Sequence, residues 1–133
     1  MKTFTLLALL LGTTALRPAL AQTPVTIAAA RAAGVGATVT VRGVVTNGPE
    51  LGIIRYLQDG TAGLAAYSTT AAGFEALVPG DSIQISGTLK NFSGILEIDP
   101  VSAVSVLDRN RAIRPAATVS AANLATEIGR AHV

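Results

Sequence analysis

The side chains that could carry out chemistry are few. The chain has no cysteine and a single histidine, His132, which excludes thiol nucleophiles, Cys-based zinc sites and a metal centre built on histidines. Asp59, Asp81 and Asp99 each stand beside glycine or proline in predicted turns, where an aspartate caps its own backbone. No Gly-x-Ser-x-Gly elbow, phosphate loop or calcium loop occurs. We therefore expect no active site, no metal and no cofactor.

A binding face is the better prediction. Strand alternation places five side chains opposite the aliphatic ones on the first three predicted strands, namely Thr40, Arg42, Tyr56, Gln58 and Tyr67. Two tyrosines beside an arginine could stack a base or a sugar and bind a phosphate. The alternative is that the tyrosines only cover the sheet, because aromatic residues favour strands in any case.

The turn after the fourth predicted strand adds further candidates. Lys90, Asn91 and Phe92 fall at the loop between the fourth and fifth predicted strands. They could extend a binding groove, or they could form a solvated hairpin without a ligand. Lys90 and Phe92 therefore join the five residues above as candidate ligand-binding residues.

The elements that must position these residues are mostly strands. Thr26 and Gly34 are typical start and stop signals for a short helix over 27–33. The pattern then changes to the two-residue alternation of β-strands. It predicts strands at 37–46, 53–58, 63–67, 82–90 and 95–99, with a weaker sixth at 104–106. We therefore expect a mainly all-β domain of five to six strands with one short N-terminal helix.

The same alternation predicts the core. The aliphatic residues on the inner side are Val39, Val41, Ile53, Leu57, Leu64, Ala66, Ile83, Ile85 and Leu89. Arg55 shares this side and breaks the pattern. We expect it near a mouth of the barrel, with its stem buried and its guanidinium in water.

Three segments carry a resemblance to a known family. They are the strand at 39–45, the segment 56–64 with its Gln-Asp-Gly-Thr turn, and the segment 78–87 that begins Val-Pro-Gly-Asp. In this order they resemble the OB-fold modules of secreted bacterial proteins, which accompany extracellular nucleases, phosphoesterases and surface-sorted proteins. The resemblance covers about residues 37–107 and implies a Greek-key barrel without catalytic residues of its own. It does not indicate a ligand, because the fold hosts many functions.

The two ends of the chain are predicted to lie outside the folded domain. The positive start, the apolar run from Phe4 to Leu11 and the ending Ala19-Leu20-Ala21 predict a signal peptide over 1–21. A lead-in helix would occupy 22–36, the barrel 37–107, and a linker or the start of a truncated second module 108–126. Residues 127–133 resemble the translation of a common sequencing adapter, and we interpret them as read-through. This organisation predicts a secreted or cell-surface protein with no membrane span, and a fragment of a larger bacterial chain.

The charge balance changes once the ends are set aside. The formal net charge is +2, but removing Lys2, Arg17 and Arg130 from the ten basic residues and Glu127 from the eight acidic ones leaves seven of each. A protein that binds nucleic acid mainly through phosphates normally shows a clear basic excess. The neutral core therefore gives no support for that mode of binding.

These observations predict a binding module with no enzymatic activity. Its partner would be single-stranded nucleic acid or an oligosaccharide, held by the Arg42, Tyr56 and Tyr67 face. The alternatives are a spacer or interaction domain without a polymer ligand, and an accessory domain of a truncated extracellular nuclease or phosphoesterase. Downstream domains of the same parent chain are expected partners in each case.

Overall fold

The structure is a computed structural model that describes residues 22–116, 118 and 120–123. The predicted signal peptide at 1–21 and the predicted read-through at 127–133 lie outside the described residues. The elements are α1 (Ile27–Ala33), β1 (Thr38–Val45), β2 (Ile54–Gln58), β3 (Gly63–Tyr67), β4 (Ser82–Phe92) and β5 (Ile95–Asp108), with short 3-10 turns at Pro49–Leu51 and Ala121–Asn123. The expected mainly all-β fold with one short helix is confirmed.

The five strands close into one barrel in the order β1-β2-β3-β5-β4. All neighbours are antiparallel except β3 and β5, which run parallel through Ala65 opposite Glu97 and Ala66 opposite Ile98. Five strands in this Greek-key order are the arrangement of the OB-fold. In this order β5 lies between β3 and β4, so that residues far apart in the sequence share one face.

The β4–β5 hairpin is longer than the alternation predicts. Lys90 and Phe92 belong to β4 and not to a loop, and the turn is confined to Ser93 and Gly94, both with positive φ. The predicted fifth and sixth strands are one strand that passes through Pro100. Three register irregularities give β5 extra residues relative to β4, at Ser82/Ile83, Ser86/Gly87 and Gly87/Leu89. Pro100 is tolerated because it lies at such an irregularity, where a ladder hydrogen bond is already missing.

The interior is aliphatic, as the alternation predicts. Eight of the nine predicted aliphatic core residues are buried, namely Val39, Val41, Leu57, Leu64, Ala66, Ile83, Ile85 and Leu89. Ile53 is only partly buried because it precedes β2 and so lies outside that strand's alternation. Ile27 of α1 completes the core from one side, and Phe74 and Leu77 of the segment between β3 and β4 complete it from another.

The prediction that the Arg55 guanidinium lies in water is wrong. The guanidinium does not reach water, since the whole residue is 1% exposed. It donates to the carbonyl oxygens of Gly52, Ile54, Glu75 and Leu77 at 2.7 to 3.1 Å. Its Cζ also lies 5.8 Å from the centre of the Phe74 ring, within cation–π range. The planar fork of donors thus ties the start of β2 to the segment between β3 and β4.

Asp59 performs more than a turn function. One carboxylate oxygen accepts hydrogen bonds from the backbone N–H groups of Thr61 and Ala62 and from the Thr61 hydroxyl. The other accepts from the N–H of Ile27, at 2.8 Å, in the first turn of α1. Asp59 therefore ties the lead-in helix to the β2–β3 turn. Burial would raise the pKa of this carboxyl, but the hydrogen bonds from Thr61, Ile27 and Ala62 outweigh it and hold the pKa below its ordinary value of 3.8.

Replacing Asp59 with asparagine is expected to lower the free energy of unfolding by about 1 to 2 kcal/mol at neutral pH, because one amide oxygen cannot accept from both sides. A carboxyl with a lowered folded-state pKa stabilises above its unfolded pKa and loses that contribution as the pH falls through the folded value. The difference in the free energy of unfolding between the parent chain and Asp59→Asn should therefore shrink below about pH 4. Urea unfolding at neutral and acidic pH measures it, with Asp108→Asn as an exposed control.

The charged segment after β5 packs against the barrel. Arg109 Nη1 lies 3.1 Å from the buried Asp81 carboxylate, which also accepts from the N–H of Val78. The Arg111 N–H donates to the Gly80 carbonyl at 2.8 Å, and Arg114 donates to the Asp59 carbonyl. Asp81 thus keeps its predicted turn role and gains an ion pair. The segment predicted as a linker is therefore attached to the barrel up to Arg114.

Candidate functional site

A cleft of about 390 Å³ lies on the outer face of the barrel, between the β1–β2 loop and the β4–β5 hairpin. Its lining comes from the loop before β2 and from β2, β3, β4 and β5, through Leu51, Ile53, Ile54, Tyr67, Lys90, Phe92, Glu97 and Asp99. The face of strands 2 and 3 between these two loops is where OB-folds bind oligonucleotides and oligosaccharides. We take this cleft as the candidate functional site.

The β1–β2 loop forms one wall of the cleft, and Asn47 holds its shape. The buried Asn47 amide donates to the carbonyls of Gly48 and Ile54 and accepts from the N–H of Tyr56 at 2.6 Å. The Glu50 carboxylate accepts from the Gly48 N–H at 2.7 Å. These bonds place the half-exposed Leu51 and the neighbouring Ile53 at the edge of the cleft.

The β4–β5 hairpin forms the opposite wall. Phe92 and Ile95 face each other across the tight turn, and the turn is closed by a hydrogen bond from the Gly94 N–H to the Asn91 side chain at 3.0 Å. Phe92 is 59% exposed and is the most accessible aromatic residue of the cleft. The turn geometry therefore presents an apolar ring at the rim, where a ligand can contact it.

The floor of the cleft carries two carboxylates and one ammonium group. Asp99 Oδ2 lies 2.6 Å from Lys90 Nζ, and the hydrogen bond and charge of Asp99 raise the pKa of Lys90. Glu97 lies opposite Lys90 in the β4–β5 ladder and is 4% exposed. Burial, and then the charge of Asp99, raise the pKa of Glu97 against the opposing effect of Lys90. With all three groups ionised the cleft carries one net negative charge.

Only some of the residues predicted for the binding face lie in the cleft. Tyr67, Lys90 and Phe92 line the cleft together. Tyr56 is 37% exposed on the neighbouring strand but does not line it. Gln58 lines a separate, more open depression beside the β2–β3 turn, together with Arg114. Of the predicted group of Arg42, Tyr56 and Tyr67, only Tyr67 therefore lines the cleft.

Arg42 and Thr40 lie away from the cleft. Arg42 is exposed on β1 and its Nε donates to the side-chain oxygen of Gln84 at 2.9 Å. Thr40 is on the outer side of β1 but is 2% exposed, because the lead-in segment covers it. Its hydroxyl lies 2.7 Å from Ser86 Oγ and 3.3 Å from Gln22 Oε1. Thr40 is consequently inaccessible to a ligand in this arrangement.

The comparisons with known proteins support the fold and go no further. No protein-family model matches the chain, and no curated protein matches its sequence. Among solved structures, the chain is similar to the hypothetical protein ygiW from E. coli, with a TM-score of 0.51 and 17% sequence identity. The similarity covers 64% of this chain and 90% of that one. At this identity the likeness concerns the barrel fold alone.

Sequence reasoning missed five contributors to the cleft, namely Leu51, Ile53, Ile54, Glu97 and Asp99, of which Ile53 was predicted for the core. Glu97 and Asp99 alternate with Leu96 and Ile98 along β5, and this alternation was a signal that their side chains share the outer face. Asp99 was assigned to a turn because Pro100 follows it, but it lies inside β5 and pairs with Lys90. The parallel pairing of β3 with β5, which brings these acids beside Tyr67, has no local signature in the sequence.

Within residues 22–116, 118 and 120–123, no group of three or more His, Cys, Asp or Glu side chains is arranged to hold a metal ion. Among the described residues, none of the helices has the length and the apolar composition of a membrane-spanning segment.

Proposed function

We propose that this chain is an exported, non-catalytic binding module whose cleft between the β1–β2 loop and the β4–β5 hairpin binds an oligosaccharide. The observation that carries the proposal is the combination of aromatic rings and carboxylates in one cleft, at the binding position of the OB-fold. The predicted signal peptide supports the exported location.

The lining suits a sugar in two ways. The rings of Tyr67 and Phe92 offer flat apolar surfaces to the C–H face of a pyranose. The carboxylates of Glu97 and Asp99 accept hydrogen bonds, which sugar hydroxyls donate. The cleft volume of about 390 Å³ falls within the range of roughly 300 to 1,000 Å³ typical of small-ligand sites. It is large enough for one or two sugar rings.

Single-stranded nucleic acid fits the cleft less well. A phosphate backbone requires free basic groups, but Lys90, the single cation among the described residues of the lining, is already paired with Asp99. Glu97 adds a second negative charge, and Arg42 lies outside the cleft. The same acids also weigh against the accessory domain of a nuclease holding its substrate here. The spacer without a ligand is the remaining alternative, and the neutral core of the chain is consistent with it.

The proposal predicts that Tyr67→Ala weakens oligosaccharide binding about tenfold, because the stacking surface is lost. Tyr56→Ala is the matched control, since Tyr56 lies on the outer face of the adjacent strand without lining the cleft. The full chain is titrated by calorimetry with short cello-, malto- and N-acetylchito-oligosaccharides, and with dT and U oligomers at low salt.

Three outcomes separate the alternatives. Binding of a saccharide that is weakened by Tyr67→Ala and unchanged by Tyr56→Ala supports the proposal. Binding of the oligonucleotides alone would assign the module to single-stranded nucleic acid. No binding of either class would leave the spacer function.

A further inference from the structure

Glu97 is an exception among the buried polar residues of the barrel. The buried polar or charged residues are Thr40, Asn47, Arg55, Ser68, Asp81 and Glu97. Each of the first five has hydrogen-bond partners in the protein. Glu97 as a whole residue is 4% exposed and lines the cleft, and its carboxylate accepts no hydrogen bond from any residue that the structure describes. A carboxylate that lines a cleft without a partner from the described residues can accept a hydrogen bond from a ligand.

The described residues supply one counter-ion for the two acids of the cleft. Lys90 lies across the ladder from Glu97, but its Nζ is hydrogen-bonded to Asp99. The other neighbouring strands add Tyr67 from β3 and the apolar Ile54 from β2. No described lining residue other than Lys90 is basic. The cleft is therefore one positive charge short when Glu97 is ionised.

A ligand can provide the missing donor and charge together. A neutral hydroxyl would satisfy one lone pair of the carboxylate, whereas an ammonium group would also compensate its charge. Charge-assisted hydrogen bonds are about twice as strong as neutral ones. They gain strength where the surroundings are shielded from water, and Glu97 as a whole residue is 4% exposed.

We propose that the ligand carries a protonated amine that binds Glu97, so that the module selects amino sugars with free amino groups over neutral or N-acetylated sugars. This inference rests on the proposed function and defines its ligand class. Tyr67 and Phe92 contact the ring of the sugar, and the ion pair of Lys90 and Asp99 fixes the second carboxylate so that Glu97 alone receives the amine.

The test compares two oligomers of equal length, one of glucosamine with free amines and one of N-acetylglucosamine, at about pH 6 on the full chain. We expect the free amine to bind about tenfold more tightly or better, and Glu97→Gln to abolish that preference by weakening the free-amine oligomer more than the N-acetylated one. Glu75→Gln is the matched control, because Glu75 is exposed and does not line the cleft.

The outcomes distinguish this inference from the proposed function. Equal affinity for the two oligomers, or a preference that survives Glu97→Gln, overturns the inference and leaves the oligosaccharide module intact. Absence of binding to any saccharide overturns both. Lys90→Met provides a second variant that keeps Glu97. It makes the cleft more negative, so it should tighten binding of the amine, and unchanged or weaker binding contradicts the inference.

A measurement without ligand checks the premise that Glu97 lacks a partner. Burial raises the pKa of Glu97 above its ordinary value of 4.5. Folding therefore favours the protonated carboxyl, and this contribution to stability is lost as the pH rises from the unfolded-state pKa through the folded-state pKa. Glu97→Gln should therefore raise the urea midpoint of unfolding at neutral pH, and the gain should vanish near about pH 4. A destabilised variant at neutral pH would show that the carboxylate is already satisfied within the protein, which would remove the basis for an amine ligand.

Discussion

Gly87→Ala is expected to lower the free energy of unfolding by about 3 kcal/mol or more and the Tm by roughly 15 °C. A Cβ at this position would overlap Ile98 Cγ2 and the carbonyl oxygen of Pro100, and it would lie 3.1 Å from Val101 Cα. Two of these three atoms belong to the backbone of β5, which cannot rotate away as a side chain can. The contact lies where β4 and β5 change register, so relief would require the barrel to open.

Gly60→Ala is the control for this prediction. A Cβ at Gly60 meets no atom within 4 Å, so we expect a change within about 0.5 kcal/mol. Thermal unfolding followed by circular dichroism measures both variants. Equal stability of Gly87→Ala and the parent chain would show that β4 and β5 do not approach as closely as described.

Arg55→Met is expected to cost about 3 kcal/mol in the free energy of unfolding. Methionine keeps most of the apolar stem, but it leaves the carbonyls of Gly52, Glu75 and Leu77 without their buried donor, while the Ile54 carbonyl keeps only the Asn47 amide. Arg55→Lys should also destabilise, because one ammonium group cannot reproduce the planar fork that contacts carbonyls in two directions. Denaturant unfolding gives the free energies.

The matched control for Arg55 is Arg42→Met. Arg42 is exposed on the adjacent strand and makes one side-chain hydrogen bond, to Gln84, so we expect a change within about 0.5 kcal/mol. If the two arginine variants are equally stable, Arg55 is hydrated in solution, as its position in the sequence had suggested.

Local patterns were sufficient for most of the secondary structure. Thr26 and Gly34 act within one turn of α1, and the helix spans the predicted residues. The first three strands and eight of nine aliphatic core positions followed from the two-residue alternation, because the side of a strand that a side chain faces is decided by its immediate neighbours. The alternation did not identify β5 as one strand, since Pro100 interrupts the pattern while β4 continues as its partner.

The cleft was determined only by the tertiary structure. The sequence alone predicted an exported OB-fold-like barrel with a few aromatic and basic side chains on its outer surface, and it placed Tyr67, Lys90 and Phe92 among the candidates. It could not show that Glu97 and Asp99 lie beside Tyr67, because that contact depends on the parallel pairing of β3 with β5 across thirty-two residues of sequence, from Ala65 to Glu97. Nor could it show that Arg55 is buried and satisfied, because its acceptors include the carbonyls of Glu75 and Leu77, twenty or more residues away. Whether a charged side chain is buried depends on the partners that distant segments bring to it, and those segments come together only when the barrel closes.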